Sequence, residues 1–343
     1  MPKRIGFLWE ELTSWHNLYC AYRKACKHKK SKAETAEWMF NCERLLLELQ
    51  SDLRKKTYKP QAYRYFMIKV PKERLISVAA FRDRVVHHAL VNVIEAHFEK
   101  TFICDSYATR KEKGLHLAVK AAQSYARTNQ WFFKLDIAKY FASIDHEILL
   151  GLIKRKIKDP HVIKLCETIL DNQNLSMGCS QGTGLPVGNL TSQFFANIYL
   201  NQLDHFIKQV LRYKGYVRYM DDFILFADDS QRLIDDLPLI HEFLAAHLRL
   251  NIKEGAAQLN RVRQGMPFLG YRVFPRLLRI RRENLKRCLR GIYLQESAYV
   301  KGEIDSEILY QSTRSRLGFI GFANSLRLQK NIWGKDQQAV PTV

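Results

Sequence analysis

Two neighbouring aspartates, Asp221 and Asp222, lie between two apolar and aromatic runs in the stretch "GYVRYMDDFILFADDS". Carboxylates that are desolvated together repel, and each raises the pKa of the other unless a cation lies between them. Mg²⁺ prefers hard oxygen ligands and keeps waters and substrate phosphates around it, so two or three protein carboxylates are expected at such a site. The pair is therefore a candidate ligand set for a divalent metal.

A third carboxylate should come from another strand end, and Asp136 in "FFKLDIAKYF" is the best candidate. Taken alone, Asp136 could equally cap the end of a strand. Taken together with the Asp221-Asp222 pair and the positive charge of the chain, Asp136 is predicted to be a metal ligand. Two metal ions about 4 Å apart activate a 3′-hydroxyl and stabilise the leaving pyrophosphate, so the three acids predict nucleotidyl transfer.

The dipeptide Asp-Asp occurs twice more in the chain, so the pair alone decides nothing. Asp228-Asp229 precedes a predicted helix, where acids are favoured by the helix dipole, and Asp235-Asp236 lies in the polar early part of that helix. We expect both of these pairs to be structural or to face solvent.

The composition indicates a globular protein that binds a polyanion. Of its 343 residues 47% are hydrophobic, and the net charge is +21. Nucleic acid is the leading partner class, with a solvated basic surface or an anionic membrane as alternatives. No apolar run has membrane-spanning length, so we expect a cytoplasmic protein without a membrane partner. Seven cysteines without a C-x-x-C pair argue against disulfides and zinc.

Periodicity predicts the elements that must position the acids. Two helices are expected within residues 12–55, and further helices at 81–102, 113–128, 146–157, 161–171, 190–211 and 233–250. Strands are expected at 63–70, 131–141, 256–263 and 267–274, besides the hairpin of the acid pair. A glycine-dense loop covers 177–189, and a basic helical tail follows a domain boundary near Pro275.

In chain order, these segments resemble the motif series of reverse transcriptases. The motifs are "KERLISVAAFRDRVVHHAL", "SYATRKEKGLHLAV", "FFKLDIAKYFASIDH", "LPVGNLTSQFFANIYL", "YVRYMDDFILF", "LRLNIKEGAAQ" and "FLGYRV". The resemblance implies an α+β right-hand polymerase with fingers, a palm built on an antiparallel sheet, and a three-helix-like thumb. The expected divisions are an N-terminal helical segment 1–60, fingers 61–130, palm 131–274 (with 165–190 contributing to the fingers) and basic thumb 275–335.

The resemblance also implies roles for individual residues. Two Mg²⁺ ions, with Mn²⁺ as an alternative, would be held by Asp136, Ile137, Asp221 and Asp222, of which Asp222 is the more peripheral. The incoming nucleotide would be bound by Lys72, Arg74, Arg110, Phe141, Val187, Gly188, Gln193 and Lys253, with Phe141 as the steric gate under the sugar. The primer and template would be contacted by Tyr219, Met220, Arg279, Arg281, Arg282, Lys286, Arg287 and Arg290. Ordinary surface charge remains the alternative for Lys72, Arg74, Arg110 and Lys253, and a core aromatic for Phe141.

The fourth motif departs from most of the family. Group II intron and retroviral enzymes usually have Gln-Gly after Leu-Pro, whereas this chain has Val187-Gly188, with Gln193 downstream. This pattern is similar to reverse transcriptases of diversity-generating retroelements. A glutamine amide can hydrogen-bond the incoming nucleotide while valine offers only contact area, so we expect reduced selectivity.

That likeness implies adenine-directed misincorporation while a template-repeat RNA is copied, giving a mutated cDNA for a target gene. The implied partners are template RNA, an RNA/DNA hybrid, dNTPs and a small basic helical accessory protein that assembles as an oligomer. From the sequence as given, we expect no endonuclease domain after the thumb. The alternatives are an intron-derived or defence-associated reverse transcriptase of ordinary fidelity, and a catalytically silent RNA-binding scaffold.

Overall fold

The computed structural model describes residues 4–29, 32–69, 73–172, 181–326, 328 and 330. Its helices are α1 Trp9–Leu12, α2 Trp15–Cys26, α3 Ala33–Phe40, α4 Cys42–Arg54, α5 Phe81–Glu99, α6 Leu115–Thr128, α7 Tyr140–Ser143, α8 His146–Lys156, α9 Pro160–Asp171, α10 Leu190–His205, α11 Ser230–Leu248, α12 Arg282–Val300 and α13 Ser306–Gly321. Its strands are β1 Arg64–Ile68, β2 Arg74–Val78, β3 Trp131–Asp136, β4 Gly215–Tyr219, β5 Asp222–Ala227, β6 Gln258–Arg261, β7 Met266–Phe268, β8 Tyr271–Val273 and β9 Leu278–Ile280.

The centre of the molecule is a four-stranded antiparallel sheet in the order β4-β5-β3-β6. The side chains of β4 and β5 are almost all buried, which explains why these strands read as continuous apolar runs. Helix α10 is buried along nearly its whole length and packs on α5 and α8. The predicted antiparallel sheet is therefore present, and it belongs to a mixed α and β fold.

Four helices form the N-terminal segment where two were predicted. Ser14 caps α2 by accepting a hydrogen bond from the backbone N–H of Asn17. The second predicted helix is divided at Asn41, which lies between α3 and α4. The apolar faces of α2 and α4 pack together, and α2 also packs on α5. The helical character of the segment was predicted correctly, but the break at Asn41 was not.

Strand β2 was not predicted, and it pairs with β1 as a separate antiparallel hairpin. Half of the side chains of this hairpin are exposed, four of them on β1. The backbone N–H of Ser77 donates to the carbonyl oxygen of Val187 at 2.8 Å, which joins β2 to the glycine-rich loop. Residues 173–180 of that loop lie outside the described part of the chain.

The change of composition at Pro275 does not coincide with a break in structure. Strands β7, β8 and β9 form one antiparallel sheet, and Pro275 lies in the connection between β8 and β9. The strand predicted over 267–274 is two strands, because Leu269 and Gly270 both take positive φ values, of 47° and 90°. Helices α12 and α13 pack against each other beyond the sheet. Any third helix of the expected thumb would fall largely outside the described residues.

Four aspartates outside the central sheet cap helices, and one of them, Asp229, was expected at a helix start from its sequence context. The side chains of Asp145, Asp159, Asp229 and Asp305 accept hydrogen bonds at the starts of α8, α9, α11 and α13. Asp228 accepts from the backbone N–H of Gln130, and Asp236 accepts from the Tyr213 hydroxyl. The structural prediction for these two acid pairs is confirmed. Among the helices described, none has an apolar stretch long enough to cross a bilayer.

Candidate active site

The central sheet brings two predicted acids to one edge. Asp136 ends β3 and is paired in register with Asp222, the first residue of β5. Asp221 lies in the two-residue turn that joins β4 to β5, because Tyr219 and Asp222 are cross-strand partners. Asp136 and Asp222, 86 positions apart in the sequence, are thereby held together by backbone pairing.

Asp221 and Asp136 form a pair of neighbouring carboxyl groups. The pKa of Asp221 is raised above its usual value, first by burial and then by the negative charge of Asp136. The positive charge of Arg74 on β2 acts in the opposite direction and lowers the pKa of Asp221. Nζ of Lys253 lies 4.0 Å from Oδ2 of Asp136, and the Lys253 backbone N–H donates to the Asp136 carbonyl.

Asp222 has a different partner. Its Oδ1 lies 2.9 Å from Nζ of Lys134, and both side chains are less than a quarter exposed. The pKa of Asp222 is raised to about 6 in total. Burial is the largest cause of the rise, Lys134 acts against it, and Asp136 and Asp221 add to it. Lys134 lies two residues before Asp136 on the same face of β3, so it is a diagonal neighbour of Asp222. Sequence analysis missed this ion pair, which occupies one oxygen of a predicted metal ligand.

The donor set suits Mg²⁺ bound through two carboxylates. The described residues contain no group of three His, Cys, Asp or Glu side chains placed to hold a metal. Mg²⁺ uses one or two carboxylates and completes its octahedron with waters and substrate phosphates. Asp136 and Asp221 meet that requirement, while Asp222 is engaged by Lys134. Ile137, the predicted carbonyl ligand, follows Asp136 directly and forms a bridge to Ile252.

A buried polar network lies behind the turn, and sequence analysis missed it. Arg218 and Asp204 form an ion pair in which both side chains are fully buried. The guanidinium is bidentate, since Nε and Nη2 each lie 2.7 Å from an oxygen of Asp204. The Tyr216 hydroxyl donates to the same carboxylate at 2.8 Å. In the sequence, Arg218 and Asp204 are 14 residues apart and belong to different elements, so no local pattern pairs them.

The predicted nucleotide-binding cations have different surroundings. Arg74 begins β2, is exposed, and acts electrostatically on Asp221. Lys253 is exposed beside Asp136. Lys72 lies outside the described residues.

Arg110 requires a correction. Its side chain is only 5% exposed and is paired with Glu99 at 2.5 Å. Its Nη1 donates to the carbonyl oxygens of Ile103 and Ser106. A guanidinium whose donors are satisfied inside the protein is not available to a triphosphate, so the geometry gives Arg110 a structural position. The reason is Glu99, eleven residues earlier on α5, whose proximity the sequence pattern does not reveal.

The segments that carry the residues expected around the nucleotide's sugar and base are joined by backbone hydrogen bonds. The Phe141 carbonyl accepts from the backbone N–H of Leu185 at 2.6 Å, so α7 is joined to the loop of Val187. Gly188 has a φ of 117°, and a Cβ there would lie 2.9 Å from Cγ2 of Ile76 and from the Ser77 carbonyl. Only glycine fits this approach to β2 without displacement. Gln193 is on the first turn of α10, partly buried.

The predicted primer and template contacts divide into two groups. Tyr219 and Met220 lead into the turn of Asp221, and Met220 has a positive φ of 55°. The six cations predicted to contact the template and primer from the expected thumb are all exposed: Arg279, Arg281, Arg282, Lys286, Arg287 and Arg290. The first three line an open cavity of about 810 Å³, and the others line a second of about 950 Å³.

Comparison with known proteins gives consistent matches. The family described as "Reverse transcriptase (RNA-dependent DNA polymerase)" matches residues 54–273. The group II intron-encoded protein LtrA of Lactococcus lactis subsp. cremoris is 32% identical over 202 residues, which cover 57% of this chain and 33% of LtrA. Protein YkfC of Escherichia coli K12 is 23% identical over 276 residues, covering 67% of this chain and 72% of YkfC. The chain thus spans about a third of the length of LtrA.

Proposed function

The chain belongs to the reverse transcriptase (RNA-dependent DNA polymerase) family, and from this premise we propose that it copies an RNA template into DNA. The observation that carries the proposal is the meeting of Asp136 and Asp221 at one edge of the palm sheet, where Asp136 raises the pKa of Asp221. Such a carboxylate pair is stable in its charged form only with a cation beside it. Mg²⁺ bound there would activate the primer hydroxyl and stabilise the leaving pyrophosphate.

The surrounding residues would orient the substrates. Arg74 and Lys253 are exposed cations, the first acting electrostatically on Asp221 and the second lying beside Asp136, and they would bind the anionic oxygens of the triphosphate. Phe141 would lie under the sugar, since its position on α7 follows Asp136 by five residues. The thumb cations would contact the template-primer backbone independently of sequence, so binding should weaken strongly as salt increases.

Primer extension tests the proposal. Purified protein, a defined RNA template, a DNA primer, dNTPs and Mg²⁺ should give full-length cDNA, and a chelator should abolish it. The double variant Asp221→Asn with Asp222→Asn should be inactive although folded. Extension that survives this double substitution would overturn the metal assignment. RNA binding without extension by the wild type would favour the silent scaffold.

A finer proposal concerns the products. We infer that the enzyme is of the diversity-generating retroelement type, copying a template-repeat RNA with errors directed at adenines. The support is Val187-Gly188 in the fourth motif, with Gln193 downstream. The Val187 carbonyl accepts a hydrogen bond from the backbone N–H of Ser77 on β2, which fixes the position from which the Val187 side chain extends beside the fingers. That side chain offers only apolar contact. A small basic helical accessory oligomer would be the protein partner.

The relatives of the chain favour a second candidate. LtrA is named as a group II intron-encoded protein, so an intron-type reverse transcriptase of ordinary fidelity is the alternative. Sequencing cDNA made on a defined RNA separates the two. Errors concentrated at template adenines support the mutagenic type, whereas errors spread evenly over the four bases support the alternative. Val187→Gln should raise selectivity at adenines, and an unchanged error spectrum in an active variant would count against the role of Val187.

A further inference from the structure

The side chain of Arg218 uses every donor that it has. Besides the two bonds to Asp204, Nη2 donates to Oγ of Ser106 at 3.1 Å and Nη1 donates to Oδ1 of Asn197 at 3.2 Å. The remaining bond, from Nη1, goes to the carbonyl oxygen of Met220 at 3.1 Å. A guanidinium has five N–H groups in a planar fork, and all five are matched here.

The Met220 carbonyl belongs to the peptide bond that enters Asp221. Met220 has a positive φ of 55°, which is uncommon for a residue with a side chain and which the surrounding structure must maintain. A bond to this carbonyl fixes the plane of the peptide between Met220 and Asp221. The direction of that plane sets where the Asp221 carboxylate points relative to Asp136.

The backbone of Arg218 is anchored as well. Its N–H donates to the Asp105 carbonyl at 2.9 Å, and its own carbonyl accepts from the N–H of Tyr107 at 3.0 Å. Asp204 and Asn197 both lie on α10, so the guanidinium joins two separate parts of the chain, α10 and the segment of Ser106, to the turn. Rotation of the Arg218 side chain is therefore excluded while Asp204 holds it.

We infer that Arg218 is a positioning residue, held by Asp204, that orients the Met220–Asp221 peptide and so aligns the Asp221 carboxylate with Asp136 for metal binding. The inference rests on the proposed polymerase function of the acid pair. Stability alone does not account for the pair, because a buried ion pair is often replaceable by apolar side chains without loss of stability. The hydrogen bond from Nη1 to the Met220 carbonyl is explained by its effect on the position of the turn.

The test compares two conservative variants within the same network. Arg218→Lys keeps the charge, but a single ammonium cannot reach Asp204 and the Met220 carbonyl in the way a planar fork does. Tyr216→Phe is the matched control, because it removes another bond to Asp204 and leaves the Arg218–Met220 contact intact. Thermal unfolding of both variants measures the structural cost of each change.

Mn²⁺ binding, followed by its EPR signal in protein free of nucleotide, is the readout independent of activity. Arg218→Lys should bind Mn²⁺ about tenfold more weakly and lower kcat for primer extension about 10- to 100-fold, as expected for a misplaced catalytic group. Tyr216→Phe should stay within about twofold of wild type in both measurements. Equal losses in both variants, or wild-type Mn²⁺ affinity in Arg218→Lys, would overturn the inference.

A further variant covers the case in which Arg218→Lys does not fold. Arg218→Met combined with Asp204→Leu and Tyr216→Phe leaves no buried charge unpaired, and it should fold yet bind Mn²⁺ weakly. Wild-type affinity in this variant would likewise overturn the inference. Failure of the proposed function has a different signature, since the wild type would then bind Mn²⁺ without extending a primer.

Discussion

Two antiparallel hairpins carry the charged residues of this site, and their surroundings are opposite. The β4–β5 hairpin is buried on both faces and bears Asp221 and Asp222. The β1–β2 hairpin is about half exposed and bears Arg74, itself exposed, at the start of β2. The first is part of a four-stranded sheet, whereas the second is a two-stranded sheet joined to the loop of Val187.

The difference follows from what each charge must do. In the proposed function Asp136 and Asp221 would hold a metal ion and must keep a fixed separation, and the β4–β5 hairpin that bears Asp221 is packed and hydrogen-bonded from behind. A cation that meets a flexible triphosphate gains from exposure, since its ammonium or guanidinium must reach a ligand that arrives from solvent. A two-stranded hairpin is marginally stable on its own, so local opening should cost less free energy in β1–β2 than in β4–β5.

The largest effect is expected from removing either Asp136 or Asp221. Asp136→Asn or Asp221→Asn should lower primer extension by at least about a thousandfold, because the metal contributes several kcal/mol of transition-state stabilisation. The melting temperature should not fall, since a like-charge repulsion is relieved. Asp235→Asn on exposed α11 is the control and should leave extension unchanged. Substantial activity in either variant would contradict the role of the buried hairpin.

The next effect concerns pH. Folding raises the pKa of Asp222 to about 6, above the usual value near 3.9. The stability contributed by its protonated form is therefore complete below about pH 4 and lost as the pH rises through 6. In metal-free protein, the free energy of unfolding measured with urea should fall by up to about 3 kcal/mol in wild type, relative to Asp222→Asn, between pH 4 and 7.5. A pH-independent difference would mean that Asp222 is not desolvated.

The exposed hairpin should give a smaller and different response. Arg74→Ala should raise the KM for dNTP about tenfold, as expected when one charge-assisted hydrogen bond is lost, with less change in kcat. Arg64→Ala, at the other end of the same hairpin and paired with Glu34, should leave the KM near wild type. Equal effects of the two substitutions would remove the distinction between a binding cation and a surface cation.

The smallest effect is expected at the contact between the β1–β2 hairpin and the loop of Val187 and Gly188. Gly188→Ala should lower the free energy of unfolding by about 1 kcal/mol, because both φ and the contacts with Ile76 and Ser77 oppose a Cβ. Gly182→Ala is the control, since Gly182 also has a positive φ but no atom within 4 Å of its Cβ position. A larger loss of dNTP affinity in Gly188→Ala than in Gly182→Ala would show that the joint supports nucleotide binding.

Sequence reasoning succeeded where a property is local and failed where it depends on distant pairing. Helices α5, α6, α8 and α9 follow their periodicity closely. Strand β2 was missed because "RLISV" is short and begins with a cation. The three acids Asp136, Asp221 and Asp222 were singled out because their apolar flanks make a charge conspicuous. Arg218 was missed because a cation in a strand reads as outward-facing until its partner is known.

The two misjudged cations show the same limit. Arg110 was assigned to the triphosphate from its place in a motif, but Glu99 on the preceding helix pairs with it. Lys134 was not assigned at all, although it contacts Asp222. A charged residue's function depends on which opposite charge lies nearest in space, and one sequence does not contain that information for residues on different elements.

The bond between Ser77 and Val187 also has a consequence for protein engineering. Gly188 fits against Ile76 only because β2 leaves space there, so the loop and the strand are complementary surfaces. A loop transplanted from another polymerase would meet a strand shaped for a different neighbour. The unit that can be exchanged between enzymes is therefore the loop together with β2, and chimaeras should be cut at the ends of both.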